Sequence, residues 1–80
     1  MKKFTVEEAK NIANKLNIEF ESEGFDVEQF RMGLDVELEH GTKDLETNVT
    51  NDDPILTGKI ALAHLRELPD YYTRLKAIEN

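Results

Sequence analysis

The two histidines of the chain each lie three residues from a glutamate: Glu37 precedes His40, and His64 precedes Glu67. Residues three apart share one face of a helix, so each pair presents an imidazole and a carboxylate side by side. Neutral imidazole and ionised carboxylate are both ligands for zinc and other divalent metals. The spacing therefore predicts a metal site made of Glu37, His40, His64 and Glu67, provided that the helices pack with the two pairs next to each other.

The same residues also have a purely structural interpretation. Glu37 follows the apolar stripe of its helix, where a carboxylate needs a partner, and it or Glu39 would pair with nearby bases. His40 suits the negative end of its helix dipole, and His64 would be a hydrogen-bonded core residue. If the two helices pack antiparallel, His40 and His64 lie far apart. If the helices cross or run parallel, the two histidine–glutamate pairs lie next to each other.

The charge of the chain limits its partners. Its 80 residues carry a net charge of −7 and no cysteine, and residues 19–53 hold twelve acids against two bases. An acidic field argues against nucleic-acid and membrane binding, and it attracts a cation or a basic protein surface. Because the sequence has no signal peptide, transmembrane stretch or disulfide framework, we expect a cytoplasmic protein.

Apolar periodicity and capping signals indicate four helices. The predicted helices cover residues 6–16, 27–40 and 54–67, followed by a short one containing Tyr71, Leu75 and Ile78. Their start signals are a capping box at Thr5 and Glu8, the N-cap Asp26 with Gln29, and Asp53 before Pro54. The second helix should stop at Gly41. We expect an irregular loop with apolar anchors at residues 17–24 and a long connection at residues 42–53.

These elements predict an all-α, compact single domain of four short helices over residues 1–80, with frayed ends at 1–4 and 79–80. Its radius of gyration should be roughly 12 Å. The predicted core consists of Val6, Ile12, Leu16, Phe30, Leu34, Leu38, Leu56, Ile60, Leu65, Tyr71, Leu75 and Ile78. Such a core supports a net stability of only a few kcal/mol, to which a homodimer would add.

No phosphate loop, nucleophile elbow or Ser/His/Asp spacing is present, which argues against an enzyme. The leading hypothesis is a small acidic protein-interaction module. Its face would combine the end of the second helix, the 42–53 connection and the last helix, with contacts from Asp52, Asp53, Asp70, Tyr71 and Tyr72. Alternatively, one tyrosine ring packs in the core and the other lies on the surface. The rival hypothesis is a metal-binding protein that needs no cofactor besides a divalent metal.

Several strings of the chain resemble a family of small, uncharacterised bacterial and phage-borne proteins, a domain of unknown function. The strings are Phe25–Phe30, Asp35–Gly41, Thr50–Pro54, Lys59–Leu65 and Pro69–Tyr72. The resemblance extends from about Phe25 to Leu75 and implies a compact domain. It brings no activity and no catalytic residue, but its polar strings coincide with both histidine–glutamate pairs.

Overall fold

The computed structural model describes residues 3–43 and 53–79, with side chains for 3–39 and 53–78. The described residues form five helices and no strand, so the all-α prediction is confirmed. The helices are α1 (Val6–Lys15), α2 (Phe20–Glu23), α3 (Val27–Lys43), α4 (Pro54–Glu67) and α5 (Tyr71–Glu79). The radius of gyration is 11.8 Å, as expected from the chain length.

The predicted helix starts are confirmed by their hydrogen bonds. At α1 the Thr5 hydroxyl accepts from the Glu8 amide at 3.0 Å, and the Glu8 carboxylate accepts from the Thr5 amide at 2.9 Å. At α4 the Asp53 carboxylate accepts from the amide of Ile55 at 2.8 Å, and Pro54 occupies the first turn. These side chains satisfy amides that have no partner within the helix.

At α3 the capping box is half formed. The Asp26 carboxylate accepts from the Gln29 amide at 2.9 Å. The Gln29 side chain donates instead to the hydroxyl of Thr73 on α5, at 2.7 Å. The predicted stop at Gly41 is wrong, since α3 continues to Lys43. A helical glycine costs only about 1 kcal/mol relative to alanine, which is too little to end a helix by itself.

Between α1 and α3 the irregular loop was also predicted incorrectly, because the chain forms the single turn α2 there. Asn17 precedes this turn with a φ of 59°, and Gly24 ends it in the left-handed region with a φ of 85°. The apolar anchors are confirmed: Ile18 is buried, and the Phe20 ring packs edge-on against Phe25 at 6.0 Å between centroids.

The core overlaps the predicted one in part. Ile12, Phe30, Leu34 and Leu65 are buried as expected. Three predicted members are exposed instead, and for these the prediction is wrong: Val6 (41%), Leu56 (40%) and Ile78 (81%). Besides the anchor Ile18, the buried residues that the predicted core did not include are Phe4, Ala9, Ala13, Phe25, Thr57, Ala61 and Tyr72. Small residues therefore occupy several positions where helices approach closely.

The packing of α3 on α4 decides whether the two predicted metal-binding pairs can meet. Gly33 of α3 lies against Ala61 of α4, and about one turn further along both helices Glu37 lies beside His64. Residue numbers thus rise together along the contact, as they do where helices cross or run in one direction.

Among the described residues, no helix combines the length and the apolar character needed to span a membrane.

Candidate functional site

The candidate site is centred on the Glu37 carboxylate, which α3 directs toward α4 and α5. The Glu37 side chain is 11% exposed. Its Oε2 atom accepts a hydrogen bond from the Tyr72 hydroxyl at 2.8 Å. The expectation that a carboxylate in this apolar stripe has a partner is confirmed, because an unpaired one would be costly to bury. The partner is a phenol rather than one of the nearby bases.

Tyr72 belongs to the core. It is 1% exposed, and its ring lies over Gly33, where no side chain stands in the way. Burial and the neighbouring Glu37 carboxylate both raise the pKa of the Tyr72 hydroxyl, since each disfavours the phenolate. Tyr72 is therefore a protonated donor at neutral pH. The sequence analysis placed Tyr72 among the partner contacts, whereas its ring is buried in the structure.

His64 completes the cluster from α4. Its Nε2 atom lies 3.5 Å from Glu37 Oε2, and its side chain is 37% exposed. The imidazole stacks on the Tyr71 ring, with 4.7 Å between centroids and 6° between planes. Tyr71 in turn meets the Tyr72 ring edge-on at 4.9 Å. The His64–Tyr71 stack is thus partly exposed and lies beside the buried hydrogen bond that fixes Tyr72.

The structure brings together two of the four predicted metal ligands, Glu37 and His64. The side chain of His40 lies outside the described residues. Glu67 is exposed, and the structure gives it no ion pair with any residue it describes. No group of three or more histidine, cysteine, aspartate or glutamate side chains gathers in a metal-binding arrangement within the described ranges.

The described members of the predicted interaction set lie near both ends of α4. Asp53 caps the start of α4, and Tyr71 packs near the other end of that helix, on His64. His64 lies eleven positions after Asp53, about 16 Å along a helix at 1.5 Å per residue. Asp70 lies beside Tyr71 and forms an ion pair with Arg74 at 2.8 Å. Asp52 lies outside the described residues.

Two further polar clusters were not predicted. The main chain of Phe4 is held by α3: its amide donates to Asp35 at 2.7 Å, and its carbonyl accepts from Arg31 at 3.3 Å. Arg31 also pairs with Asp35 and Glu28, and the spacings of four and three residues could have revealed those bonds. The bond to the Phe4 backbone spans 31 residues and has no local sequence signal.

The second cluster joins α4 to α2. Arg66 donates to both carboxylate oxygens of Glu23, at 2.6 and 3.0 Å. This hydrogen bonding lowers the pKa of Glu23, while partial burial opposes the shift. The pair is the two-pronged arrangement that arginine forms with a carboxylate. It fixes the short helix against the end of α4.

A shallow groove of about 370 Å³ lies between α3 and α5. Met32, Val36 and Leu75 supply its apolar part, and Tyr72 closes it from the side of the candidate site. Charged side chains of both signs surround it, including Lys3, Lys76 and Glu39. Because the surrounding charges are mixed, they do not indicate whether a ligand would be positively or negatively charged.

Fold and site together define a small all-α protein with a polar aromatic cluster where three helices meet. Residues 9–80 match the model of a family described as a protein of unknown function (DUF5661), and the chain belongs to that family. The predicted resemblance is thereby confirmed, while a bacterial or phage origin stays a prediction. No curated protein and no solved structure matches the chain.

Proposed function

We propose that the protein is a small acidic protein-interaction module. The surface that contacts the partner is the His64–Tyr71 surface, which we define by His64, Glu67, Asp70 and Tyr71. The observation that carries the proposal is the partly exposed stack of His64 on Tyr71. Tyrosine is enriched at protein interfaces, where it supplies large contact area with few rotatable bonds.

The stack is also ordered before any partner arrives. Tyr72, next in sequence to Tyr71, is fixed by its bond to Glu37, and Asp70 is fixed by Arg74. Immobilising a free side chain at an interface costs about 0.5 to 1.5 kcal/mol, and a preformed stack avoids much of that cost. The net charge of −7 favours a partner with a basic surface, whose association should weaken as salt is added.

A photo-crosslinking amino acid placed at exposed position 67 tests this surface. In cells that naturally make the protein, we expect position 67 to yield a discrete protein adduct that unmodified protein competes away and that Tyr71→Ser abolishes. Exposed position 10 on α1 is the matched control and should yield none. The same adducts from both positions, or none from position 67, would overturn the proposal.

A second candidate function, metal binding, is favoured by the 3.5 Å contact between Glu37 and His64. We propose that these two side chains, with His40 and Glu67, hold one divalent ion. A carboxylate has about four acceptor sites, so Glu37 can accept from Tyr72 and still bind a metal. Titration with zinc or manganese, followed through the imidazole nitrogen resonances, should move His40 and His64 together at one equivalent. If neither histidine responds, this second candidate is wrong.

A further inference from the structure

Helix α5 contacts the core through three of its described side chains: Tyr72 is buried, and Tyr71 and Leu75 are partly buried. Of its described side chains, residues 71–78, Tyr72 alone is buried, and Ile78 near its end is 81% exposed. Among the described residues, two hydrogen bonds join the helix to α3: the Tyr72 hydroxyl donates to Glu37, and the side-chain amide of Gln29 donates to the Thr73 hydroxyl. The Asp70–Arg74 pair lies at the start of α5 itself and does not hold it to another element.

The connection to α4 can act as a pivot. Leu68 is extended, with φ −150° and ψ 102°, because the residue before a proline avoids the helical region. The turn after it is held by a bond from the Tyr71 amide to the Leu68 carbonyl. Rotation at this turn would lift α5 without breaking any bond within α3 or α4. Elements with few buried contacts open locally at a lower free energy than the core.

We propose that α5 opens as a unit about the Leu68–Asp70 turn, and that the bond between Tyr72 and Glu37 sets how often it does so. Opening withdraws Tyr72 from Gly33, exposes the Glu37 carboxylate and separates Tyr71 from His64. Closure therefore assembles the His64–Tyr71 surface. The importance of assembling this surface rests on the proposed function, whereas the opening of α5 does not.

Native-state hydrogen exchange of the whole chain tests the opening. We expect the amides of Arg74, Leu75 and Lys76 to share one protection factor, at least about tenfold below that of the α3 core, with little dependence on urea. Fraying from the end of the chain would instead give protection that falls residue by residue. Such a gradient would overturn the proposal. So would α5 amides whose protection and urea dependence equal those of the α3 amides.

Two matched variants test the role of the buried bond. Tyr72→Phe should lower the protection of the α5 amides by at least about tenfold, because the bond goes to a carboxylate. Tyr71→Phe removes a hydroxyl for which the structure gives no hydrogen bond to any residue it describes, and should change protection less than about threefold. If Tyr72→Phe lowers protection equally in α1, α3 and α5, the bond stabilises the whole fold and does not control α5. If hydrogen exchange gives the expected result but position 67 yields no crosslink, the opening of α5 is supported and only the proposed interaction function is refuted.

Discussion

Gly33 makes room for Tyr72. A Cβ atom built on Gly33 would lie 2.5 Å from Cε2 of the Tyr72 ring and 3.0 Å from the Cβ of Ala61. Both neighbours are fully or almost fully buried, so moving either of them away breaks contacts in the core. The glycine therefore permits the close approach of three helices, and through it the position of the Tyr72 hydroxyl at Glu37.

Gly33→Ala should destabilise the protein by about 2 kcal/mol. Overpacking typically costs about 1 to 3 kcal/mol, and the 2.5 Å approach to a buried ring puts this site at the upper end. Subtracting the gain of about 1 kcal/mol in helix propensity leaves a net loss of about 2 kcal/mol. Urea unfolding followed by circular dichroism measures the difference. Gly58→Ala is the control: its Cβ would meet the Cγ2 methyl of Ile12 and the Cδ1 methyl of Leu16 at 2.9 Å, less closely than a Cβ on Gly33 would approach Tyr72, so its effect should stay within about 1 kcal/mol. A Gly33→Ala protein as stable as the wild type would contradict this account.

Thr57 offers a gain in stability. The residue is fully buried, and its hydroxyl has no hydrogen-bond partner among the described residues. Thr57→Val keeps the shape and removes the unsatisfied oxygen, so the free energy of unfolding should rise by about 1 kcal/mol. Thr57→Ser keeps the oxygen and loses a methyl group, so the free energy of unfolding should fall by about 1 kcal/mol. If the valine variant is the less stable of the two in urea unfolding, the hydroxyl has a partner after all.

The sequence predicts local features of this fold well. Capping residues act on amides two or three positions away, so Thr5, Asp26 and Asp53 could be recognised from spacing alone. The partner of Glu37 lies 35 residues further along the chain, and spacing could show only that a partner was needed. Its identity depends on how α3, α4 and α5 cross.

The choice between the two tyrosines shows a second limit. Tyr71, Leu75 and Ile78 form an apolar stripe, but on a helix of nine residues a rotation of one position buries Tyr72 instead. Small residues were missed for a related reason. Ala61 is buried because helices approach closely there, a property of the packing that hydrophobic periodicity does not report.

The pair between Arg66 and Glu23 should depend on pH. Because the bond lowers the pKa of Glu23 in the folded state below its ordinary value of 4.5, it stabilises the protein above that pH. Stability is lost as the pH falls through the lowered value and Glu23 becomes protonated. Arg66→Gln should therefore be less stable than the wild type at pH 7, and the difference should shrink below about pH 4.5. Thermal unfolding across this range measures it.

Arg74→Gln provides the comparison for that experiment. Its ion pair with Asp70 lies within one helix turn, and both side chains are about half exposed or more. Exposed pairs contribute little to stability, so this variant should stay close to the wild type at every pH. If Arg66→Gln behaves in the same way, the two-pronged bond to Glu23 does not hold α2 against α4.

Asp35 should matter more than Glu28, although both bind Arg31. Asp35 also accepts from the Phe4 amide, and so fixes the segment that carries the buried Phe4 ring. Asp35→Ala should cost about 2 kcal/mol, because it removes the hydrogen bond from the Phe4 amide to a charged acceptor. Glu28 is half exposed, and Glu28→Ala should cost less than about 0.5 kcal/mol. Urea unfolding compares the two, and hydrogen exchange at the Phe4 amide should accelerate in the Asp35 variant alone. Equal losses of stability, with Phe4 protected in both, would show that Phe4 is held by packing of its ring and not by Asp35.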